Sequence, residues 1–375
     1  MIASFSAIGS RPADTRLHPT VSTSRVVGVS VVICSHNGDT RLRPTLEHLA
    51  AQKEARVPWE VIVVDNASTD STSQLAVECW PEAAPVSLRV VREPRLGLSH
   101  ARERGFAESQ YEVVSFIDDD NWVCDSWITV VAEIFTMYPD VGACGGLSEA
   151  VPECDPPEWF DRYCAVLAVG SPVKSPGFMA AGTLWGAGLC IRKSAWSEIV
   201  RAGFRSRLTD RKGALTTSCG DTEICFALRL AGWQLWYEPS LQFKHYIPAQ
   251  RLSWAYFRRL HRGIGKSIAV HGYEFMLHPP LGLRGRVRKT RIWILQTALR
   301  NLFRQRTKIL ASLKSPLEGD PQVFQMEFHL GRAIGALTQP TTGAVKWLSK
   351  LNTQRLQRSR LANATVAVGR RSEDA

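Results

Sequence analysis

Three consecutive carboxylates, Asp118, Asp119 and Asp120, directly follow the largely apolar run Val113–Ile117. An apolar run of this kind predicts a buried strand, and acids crowded at its carboxyl end repel one another unless a cation or a solvated site separates them. Mg²⁺ and Mn²⁺ prefer carboxylate oxygens, and Mg²⁺ is typically held by one or two carboxylates plus the phosphates of a substrate. We therefore interpret the triplet as a metal–diphosphate site, with a solvated acidic turn as the alternative.

A fourth carboxylate, Asp221, stands at the predicted start of a helix. The polar stretch Thr216–Glu223 leads into an apolar run over 224–231 that ends at Gly232, a suitable residue just beyond a helix C-terminus. With Ser218 as the N-cap, Asp221 falls in the first turn, where the helix dipole stabilises a negative charge by up to roughly 1 kcal/mol. A plain capping box is the alternative interpretation.

Two strand–turn–helix units precede the acidic triplet. The β-branched run over 26–34 ends in the polar turn Ser35–Gly38, and the run over 59–64 ends in Asp65–Asp70, with a helix predicted after each turn. Such units in tandem predict a parallel sheet with right-handed crossovers, and ligands bind outside the carboxyl ends of its strands. The polar turns and the acidic triplet are therefore expected to converge on one crevice.

A further strand is predicted over 88–93, and a helix follows it whose ends we place at Gly97 and Gly105. Ser99 is expected to supply an N-cap hydroxyl, so that backbone N–H groups and Arg102 face an anion. An ordinary capped surface helix is the alternative.

Four segments in this order and spacing resemble the family-2 glycosyltransferases of the GT-A fold, which are inverting enzymes. They are VSVVICSHN at 29–37, VVDNASTD at 63–70, GLSHARERG at 97–105 and FIDDD at 116–120. The resemblance implies that the first two turns hold the base and ribose of a nucleotide sugar, that the Arg of the third segment lies near the nucleotide, and that Asp-x-Asp binds ribose and a divalent metal. Glu103 departs from the family, which often has Asn there.

The resemblance assigns site residues one by one. Those expected to bind the nucleotide sugar are Cys34, Ser35, His36, Asp65, Asn66, Arg102, Asp118 and Asp119. Those expected to bind Mn²⁺ or Mg²⁺ are Asp118 and Asp120, together with His245, because several enzymes of this fold have a ligand histidine at that place. A lone histidine at a strand end is more often structural, so both interpretations of His245 stay open.

The family also places its catalytic base on the Asp of a Glu-Asp pair, which here implies Asp221. Gly220 stands where the Glu is common. Transfer with inversion needs a base that takes the proton of the acceptor hydroxyl as that oxygen attacks the anomeric carbon, and an aspartate kept ionised by a helix N-terminus is available at neutral pH.

Beyond the acidic triplet the pattern is less regular. A helix is predicted over 127–138 and strands over 141–147, 184–192, 234–238 and 241–248, with a further helix over 251–278. Between them, residues 148–180 form a long proline-rich excursion of the kind that serves as a lid or binding loop. Its aromatic residues are interpreted either as sugar-stacking platforms or as ordinary packing: Trp159, Phe160, Tyr163 and Phe178.

The positive charge is confined to the C-terminal region. Residues 1–280 hold 28 Lys and Arg against 30 Asp and Glu (28 − 30 = −2), and residues 281–375 hold 18 against 5 (18 − 5 = +13). The segment 284–314 combines this charge with apolar residues at helical spacing, which is typical of a helix on an anionic membrane surface. Packing on the catalytic domain is the alternative, and no nucleic acid is expected as a partner.

The fold class predicted is α/β, a GT-A-like, mostly parallel sheet flanked by helices with a basic helical C-terminal extension. We expect a disordered leader over 1–24, the catalytic domain over 25–275 and the extension over 276–375. Nine cysteines without C-x-x-C spacing, and no long apolar run, indicate a reduced cytoplasmic protein. The basic segment 284–314 leads us to expect that it lies in part at the inner face of the membrane. The resemblance implies a UDP-sugar as the commonest donor and a glycan or lipid-linked acceptor, in polysaccharide or cell-envelope glycan assembly. A nucleotidyltransferase or a non-catalytic nucleotide-sugar-binding protein are the alternatives.

Overall fold

The computed structural model describes residues 27–53, 55–206, 208, 219–268, 283–307 and 318–338. The predicted leader, Ser218 and the ends of the chain lie outside these residues. The strands are β1 Val29–Ser35, β2 Trp59–Asn66, β3 Leu88–Glu93, β4 Val113–Asp118, β5 Asn121–Val123, β6 Val141–Pro152, β7 Gly177–Phe178, β8 Cys190–Arg192 and β9 Gln234–Ile247. The helices are α1 Leu42–Ala50, α2 Thr72–Glu78, α3 Leu98–Glu108, α4 Trp127–Met137, α5 Phe160–Tyr163, α6 Lys193–Arg201, α7 Gly220–Leu230, α8 Trp254–Ile268, α9 Leu283–Arg304 and α10 Pro321–Thr338.

Within the described residues the strands form one mixed sheet in the order β3-β2-β1-β4-β8-β6-β9-β5, and β7 pairs with β9. The first four strands of that order are parallel, as predicted. Their registers align the polar ends, because Ser35 pairs with Asp65 and Cys34 pairs with Asp118. Three of the predicted turns therefore begin at one edge of the sheet.

Successive side chains of the parallel strands point to opposite faces of the sheet, and both faces are covered by helices. In β1, Val32 packs into a core with residues of α3, α6 and α7, whereas Val31 and Ile33 pack with residues of α1 and α4. This double burial explains why the strands appear in the sequence as continuous apolar runs rather than as alternating ones.

Several element boundaries differ from the sequence-based expectation. The helix α3 begins after Gly97 and continues through Gly105, which packs against Val32 and does not end the helix. Ser99 is not the N-cap, and its hydroxyl donates instead to the carbonyl oxygen of Leu208 at 2.6 Å. The two strands predicted over 234–248 are one long strand, β9, and the strand predicted over 184–192 is confined to β8.

A third core joins the proline-rich excursion to the C-terminal helices. Trp159, Phe160 and Tyr163 are buried against residues of α8 and α10, so these rings pack within the protein as in the second interpretation. Between α8 and α10, the fully buried carboxylate of Glu327 accepts hydrogen bonds from Arg258 at 2.8 Å and from Arg262 at 2.5 Å. The helix α10 of the basic extension is thus fastened to the helix that follows β9.

Candidate active site

A cavity of about 410 Å³ lies at the carboxyl edge of the parallel strands. Most of the predicted site residues line it, from the ends of β1, β2, β4, β9 and from helices α3 and α7. They are Cys34, Ser35, His36, Asn66, Arg102, Asp118, Asp119, Asp120, Asp221 and His245. The convergence that the strand pattern predicted is present, and it includes residues from both halves of the chain.

Hydrogen bonds between the turns after β1 and β2 shape one wall of this cavity. The ring nitrogen Nδ1 of His36 lies 2.8 Å from the carbonyl oxygen of Asn66, and the Asn66 amide accepts from the backbone N–H of Gly97 at 2.8 Å. Asn37, at a positive φ of 49°, accepts from the backbone N–H of Thr69 at 2.9 Å. Three successive loops are therefore held in fixed relation to one another.

Asp65 is the one predicted nucleotide contact that does not line the cavity. Its carboxylate accepts from the Ser68 backbone N–H at 3.0 Å and from the Ser73 hydroxyl at 2.6 Å. Burial alone would raise the pKa of Asp65, but these hydrogen bonds outweigh it and lower the pKa. In this structure the residue closes the turn between β2 and α2.

Asp119, the middle acid of the triplet, is turned toward the β1 loop. The Arg41 guanidinium contacts both of its oxygens, at 2.8 and 2.9 Å, and the Ser35 hydroxyl donates to it at 2.5 Å. A Cβ at Gly38 would collide with the Ser35 hydroxyl and the Asp119 carboxylate, so the pairing requires glycine there. Burial raises the pKa of Asp119, and the Arg41 cation opposes that rise.

Asp120 is buried at the end of the triplet between two basic side chains. Its Oδ2 accepts from Arg251 at 3.1 Å, and its Oδ1 lies 3.6 Å from Nε2 of His245. The pairing of Asn121 in β5 with His245 in β9 explains how residues so distant in sequence meet. The structure thus places His245 beside the acidic triplet, where the resemblance implied a ligand.

Asp120 and His245 offer two of the ligands that a divalent cation needs. A carboxylate oxygen and an imidazole nitrogen 3.6 Å apart are too far for a hydrogen bond and are spaced as two ligands of one ion. Within the described ranges no group of three or more His, Cys, Asp and Glu side chains is arranged to hold a metal. The residues therefore fit an ion that takes its remaining ligands from a diphosphate and water, as Mg²⁺ typically does.

Asp221 lies on the cavity wall in the first turn of α7, where the helix was predicted to place it. Its Oδ2 accepts from the backbone N–H of Gly186 at 2.6 Å, and its Oδ1 accepts from that of Thr222 at 2.7 Å. The N-cap position is occupied by Cys219, at φ 87°, instead of the predicted Ser218. A Cβ at Gly186 would lie 2.7 Å from Nη2 of Arg102 and 3.2 Å from Oδ2 of Asp221, so this glycine lies between them.

Other acids near Asp221 are not placed for the same chemistry. Glu223 is fully buried, and its carboxylate accepts from the Ser206 hydroxyl at 3.0 Å. Asp155 and Asp161, in the proline-rich excursion, are exposed and do not line the cavity.

Sequence reasoning missed several residues of the site. Arg41 and Arg251 pair with the acidic triplet, yet neither belongs to a recognisable motif. The excursion and α8 also contribute apolar lining, from Ala165, Val166, Leu167, Ala168 and Ile264. Only the apolar periodicity of α8 and the length of the excursion could have indicated that these segments cover the cavity.

The observed sheet and cavity agree with the resemblance to the family-2 glycosyltransferases. Residues 30–184 match the family model described as glycosyl transferase family 2, which confirms the resemblance inferred from the four segments. The matched part contains the β1, β2 and β4 loops that line the cavity.

Individual relatives agree with this assignment. The chain is 26% identical over 242 residues to the succinoglycan biosynthesis protein ExoM of Rhizobium meliloti, covering 63% of this chain and 72% of that protein. It is 31% identical over 96 residues to an undecaprenyl-phosphate 4-deoxy-4-formamido-L-arabinose transferase of Pectobacterium carotovorum, covering 25% and 29%. Several curated relatives are matched over only 26% to 34% of their own length.

Among solved structures, the mannosyltransferase PcManGT of Pyrobaculum calidifontis, in complex with GDP-Man and Mn²⁺, has a TM-score of 0.52 and 18% identity. The similarity covers 92% of this chain and 90% of that one, and it supports the GT-A-like fold that the resemblance implied.

Proposed function

We propose that the protein is an inverting glycosyltransferase that moves a sugar from a nucleotide-diphospho-sugar to an acceptor hydroxyl. The observation that carries the proposal is that one cavity is lined both by the acidic triplet with His245 and by Asp221. The first set suits a metal-bound diphosphate, and the second suits a base. The two halves of a sugar transfer thus have residues of the appropriate chemistry.

In this proposal the nucleotide lies against the strand-end loops. Ser35, His36 and Asn66 contact the base and ribose with Asp118 and Asp119, Asp65 and Cys34 support those loops, and Arg102 faces the diphosphate. Burial raises the pKa of Cys34 to about 12, so it is present as a neutral thiol. Asp118, Asp120 and His245 would hold Mn²⁺ or Mg²⁺. The ion would supply positive charge that neutralises the negative charge of the departing nucleoside diphosphate.

Asp221 serves as the general base. It accepts the proton of the acceptor hydroxyl while the oxygen forms its bond to the anomeric carbon and the bond from that carbon to the diphosphate oxygen breaks. The backbone N–H groups of Gly186 and Thr222 hold one oxygen each, which fixes the carboxylate plane. Oδ1 also accepts a longer hydrogen bond from the Thr222 hydroxyl, at 3.4 Å, whereas Oδ2 keeps a lone pair for the acceptor proton. Inversion follows because the hydroxyl attacks from the side opposite the diphosphate.

We further propose that the acceptor is a glycan or lipid-linked glycan of the cell envelope and that the protein works in the cytoplasm, in part at the inner face of the membrane. The similarity to a succinoglycan biosynthesis protein and to an undecaprenyl-phosphate sugar transferase supports this assignment. A UDP-sugar is the donor we would test first, and the GDP-mannose complex of the fold neighbour makes a GDP-sugar the second.

A non-catalytic nucleotide-sugar-binding protein is the competing proposal, and Gly220 at the place of the family's Glu is what favours it. Donor hydrolysis without an acceptor discriminates between the two, because a protein that only binds releases no nucleoside diphosphate. A nucleotidyltransferase would need a glycine-rich signature after β1, and the turn Ser35–Gly38 is not one.

The proposed function is tested by thermal unfolding with a panel of nucleotide sugars, with and without Mn²⁺. A ligand that binds only the native state raises its stability by an amount set by affinity, so the donor should raise the Tm in the presence of Mn²⁺. Asp120→Asn should abolish the Mn²⁺-dependent part, since a neutral amide is a poor substitute for a carboxylate ligand.

The matched control is Asp125→Asn, which removes an exposed acid that pairs with Lys53 away from the cavity. It should leave the shift unchanged. An Asp120→Asn variant that retained the full Mn²⁺-dependent shift would remove the central claim.

A further inference from the structure

The helix α9 carries charge of one sign. Its 22 residues, Leu283–Arg304, contain six arginines and one lysine and no Asp or Glu, so its formal charge is +7 (6 + 1 − 0). A helix with this charge repels cations. Its charge adds no electrostatic attraction for a neutral apolar partner. A negatively charged surface lowers its electrostatic free energy.

The same helix exposes large apolar side chains. Ile292, Trp293, Leu299 and Phe303 keep 47%, 43%, 52% and 66% of their surface accessible. At 3.6 residues per turn, Ile292, Leu299 and Phe303 fall within about 40° of one another around the axis, which makes them a stripe and not scattered positions. Large exposed apolar groups on one line mark an interaction site.

The face that holds α9 to the protein is a different one. Ile294 of α9 and Ala336 of α10 form a small buried cluster, and Leu295 of α9 packs against it. Ala298 is fully buried on the same side of α9. The exposed Arg300 and Arg304 lie on the flank of the apolar stripe, about 100° from its centre. The helix is therefore anchored through one face and presents a second face with an apolar stripe beside a basic flank.

We propose that this second face of α9 binds the surface of an anionic lipid bilayer. Ile292, Leu299 and Phe303 enter the boundary between headgroups and acyl chains, and Arg300 and Arg304 contact the lipid phosphates. Trp293, partly exposed beside the stripe, lies at the headgroup level that tryptophan favours. The inference rests on the membrane-peripheral location proposed above and names the surface responsible.

The contacts of α9 and α10 connect this face to the cavity. The helix α10 packs on both α9 and α8, and Ile264 of α8 lines the cavity. A bilayer bound to α9 is thus held by packed helices at a fixed distance from the site, which suits an acceptor that is itself embedded in that bilayer.

The test is sedimentation of the full chain with vesicles of phosphatidylcholine alone or of phosphatidylcholine mixed with phosphatidylglycerol. We expect binding to the mixed vesicles at low salt and a marked loss at high salt. Arg300→Gln with Arg304→Gln should lower the partition about 25-fold, roughly fivefold for each arginine. Leu299→Ser with Phe303→Ser should weaken binding at both salt concentrations, because it removes the apolar part.

The matched control is Val77→Ser with Met137→Ser, which removes two equally exposed apolar side chains from α2 and α4 and should not change binding. The proposal would be overturned by equal recovery with neutral and anionic vesicles or by an unchanged partition of the arginine variant. It would also be overturned if the protein bound immobilised RNA but did not sediment with vesicles. The α9 variants should keep the donor-dependent thermal shift, so failure of membrane binding is distinguishable from failure of the proposed transfer.

Discussion

The cavity is built by two regions that reach it in different ways. Residues 29–120 approach it through parallel strands whose polar ends lie in register, so each loop arrives at the same edge of the sheet. Residues after 120 approach it through contacts between residues that lie far apart in the sequence. The N–H of Gly186 donates to Asp221, Arg251 donates to Asp120, and His245 lies beside Asp120. The contacts of the first region thus follow from local pattern, and those of the second region follow from tertiary packing.

This difference has a consequence for tolerance to change. A substitution in a strand-end loop removes one contact from a frame that the sheet still maintains. A substitution in the second region removes a contact that itself positions the backbone, so its effect on geometry spreads further. Variants of the second region are therefore the sharper tests of the comparison.

The largest effect is expected from Asp221→Asn. If Asp221 is the base, turnover at saturating donor should fall by the roughly 10²–10⁴-fold typical of losing general base catalysis, because asparagine takes up no proton. Donor affinity should change little, since the residue faces the acceptor side. Steady-state kinetics with the donor-dependent thermal shift separate the two quantities.

Two controls accompany this variant. Asp161→Asn alters an exposed acid outside the cavity and should leave turnover unchanged. Glu223→Gln alters a fully buried carboxylate that accepts a hydrogen bond from Ser206. It should lower the Tm but leave the turnover of the folded enzyme nearly unchanged. Near wild-type turnover of Asp221→Asn would exclude it as the base.

Much of the first region could be predicted from the sequence, because the physical signals were local. Apolar runs of strand length, each followed by polar residues, indicated β1, β2 and β4, and parallel pairing then required their ends to converge. The position of Asp221 in the first turn of α7 was predictable for the same reason, since a polar stretch precedes the apolar run and Gly232 follows it, although the N-cap is Cys219 and not Ser218.

The partners of the acids could not be predicted, because they lie far away in the chain. Arg41 meets Asp119 across 78 residues, and Arg251 meets Asp120 across 131. Nothing in the composition of either arginine's neighbourhood distinguishes it from a solvated one. The packing of α9 on α10 was also open, since the basic amphipathic sequence over 284–314 suits a membrane surface and a protein surface equally.

A smaller effect is expected from Gly186→Ala, which tests whether the second region positions the base. The added Cβ would lie 2.7 Å from the Arg102 guanidinium and 3.2 Å from the Asp221 carboxylate, so both side chains must shift. A misplacement of this size should lower turnover on the order of tenfold, and a shift of about 1 Å can cost more. The Tm should be nearly unchanged, and unaltered kinetics would show that Gly186 has no positioning role.

An effect on stability, and not on turnover, is expected from the C-terminal packing in contrast to the sheet. His261 is buried in α8, where its ring stacks on Phe324 at 3.6 Å and its Nδ1 lies 2.8 Å from the Phe324 carbonyl oxygen. Burial lowers the pKa of His261 from 6.5 to about 4, against the opposing influence of that carbonyl and of Glu327. The native state therefore holds the ring neutral where the unfolded chain protonates it.

Because the unfolded state binds the extra proton, the free energy of unfolding should fall as the pH drops from about 6.5 toward 4. Between pH 7 and pH 5 the loss from His261 should be about 2 kcal/mol. The carboxyl groups with lowered pKa in the first region, Asp65, Asp70 and Glu93, lose stability only below about pH 4.5, so they leave this window nearly untouched.

Urea unfolding of the wild type and of His261→Gln at pH 7 and pH 5 measures this difference. The variant should be less stable at pH 7, since glutamine cannot reproduce the ring stacking, but it should lose less stability on acidification. His329, whose pKa is also lowered by burial, accounts for a residual slope in the variant. Parallel pH dependence of the two proteins would show that acid sensitivity does not arise at the junction of α8 and α10, and would shift its origin to the sheet.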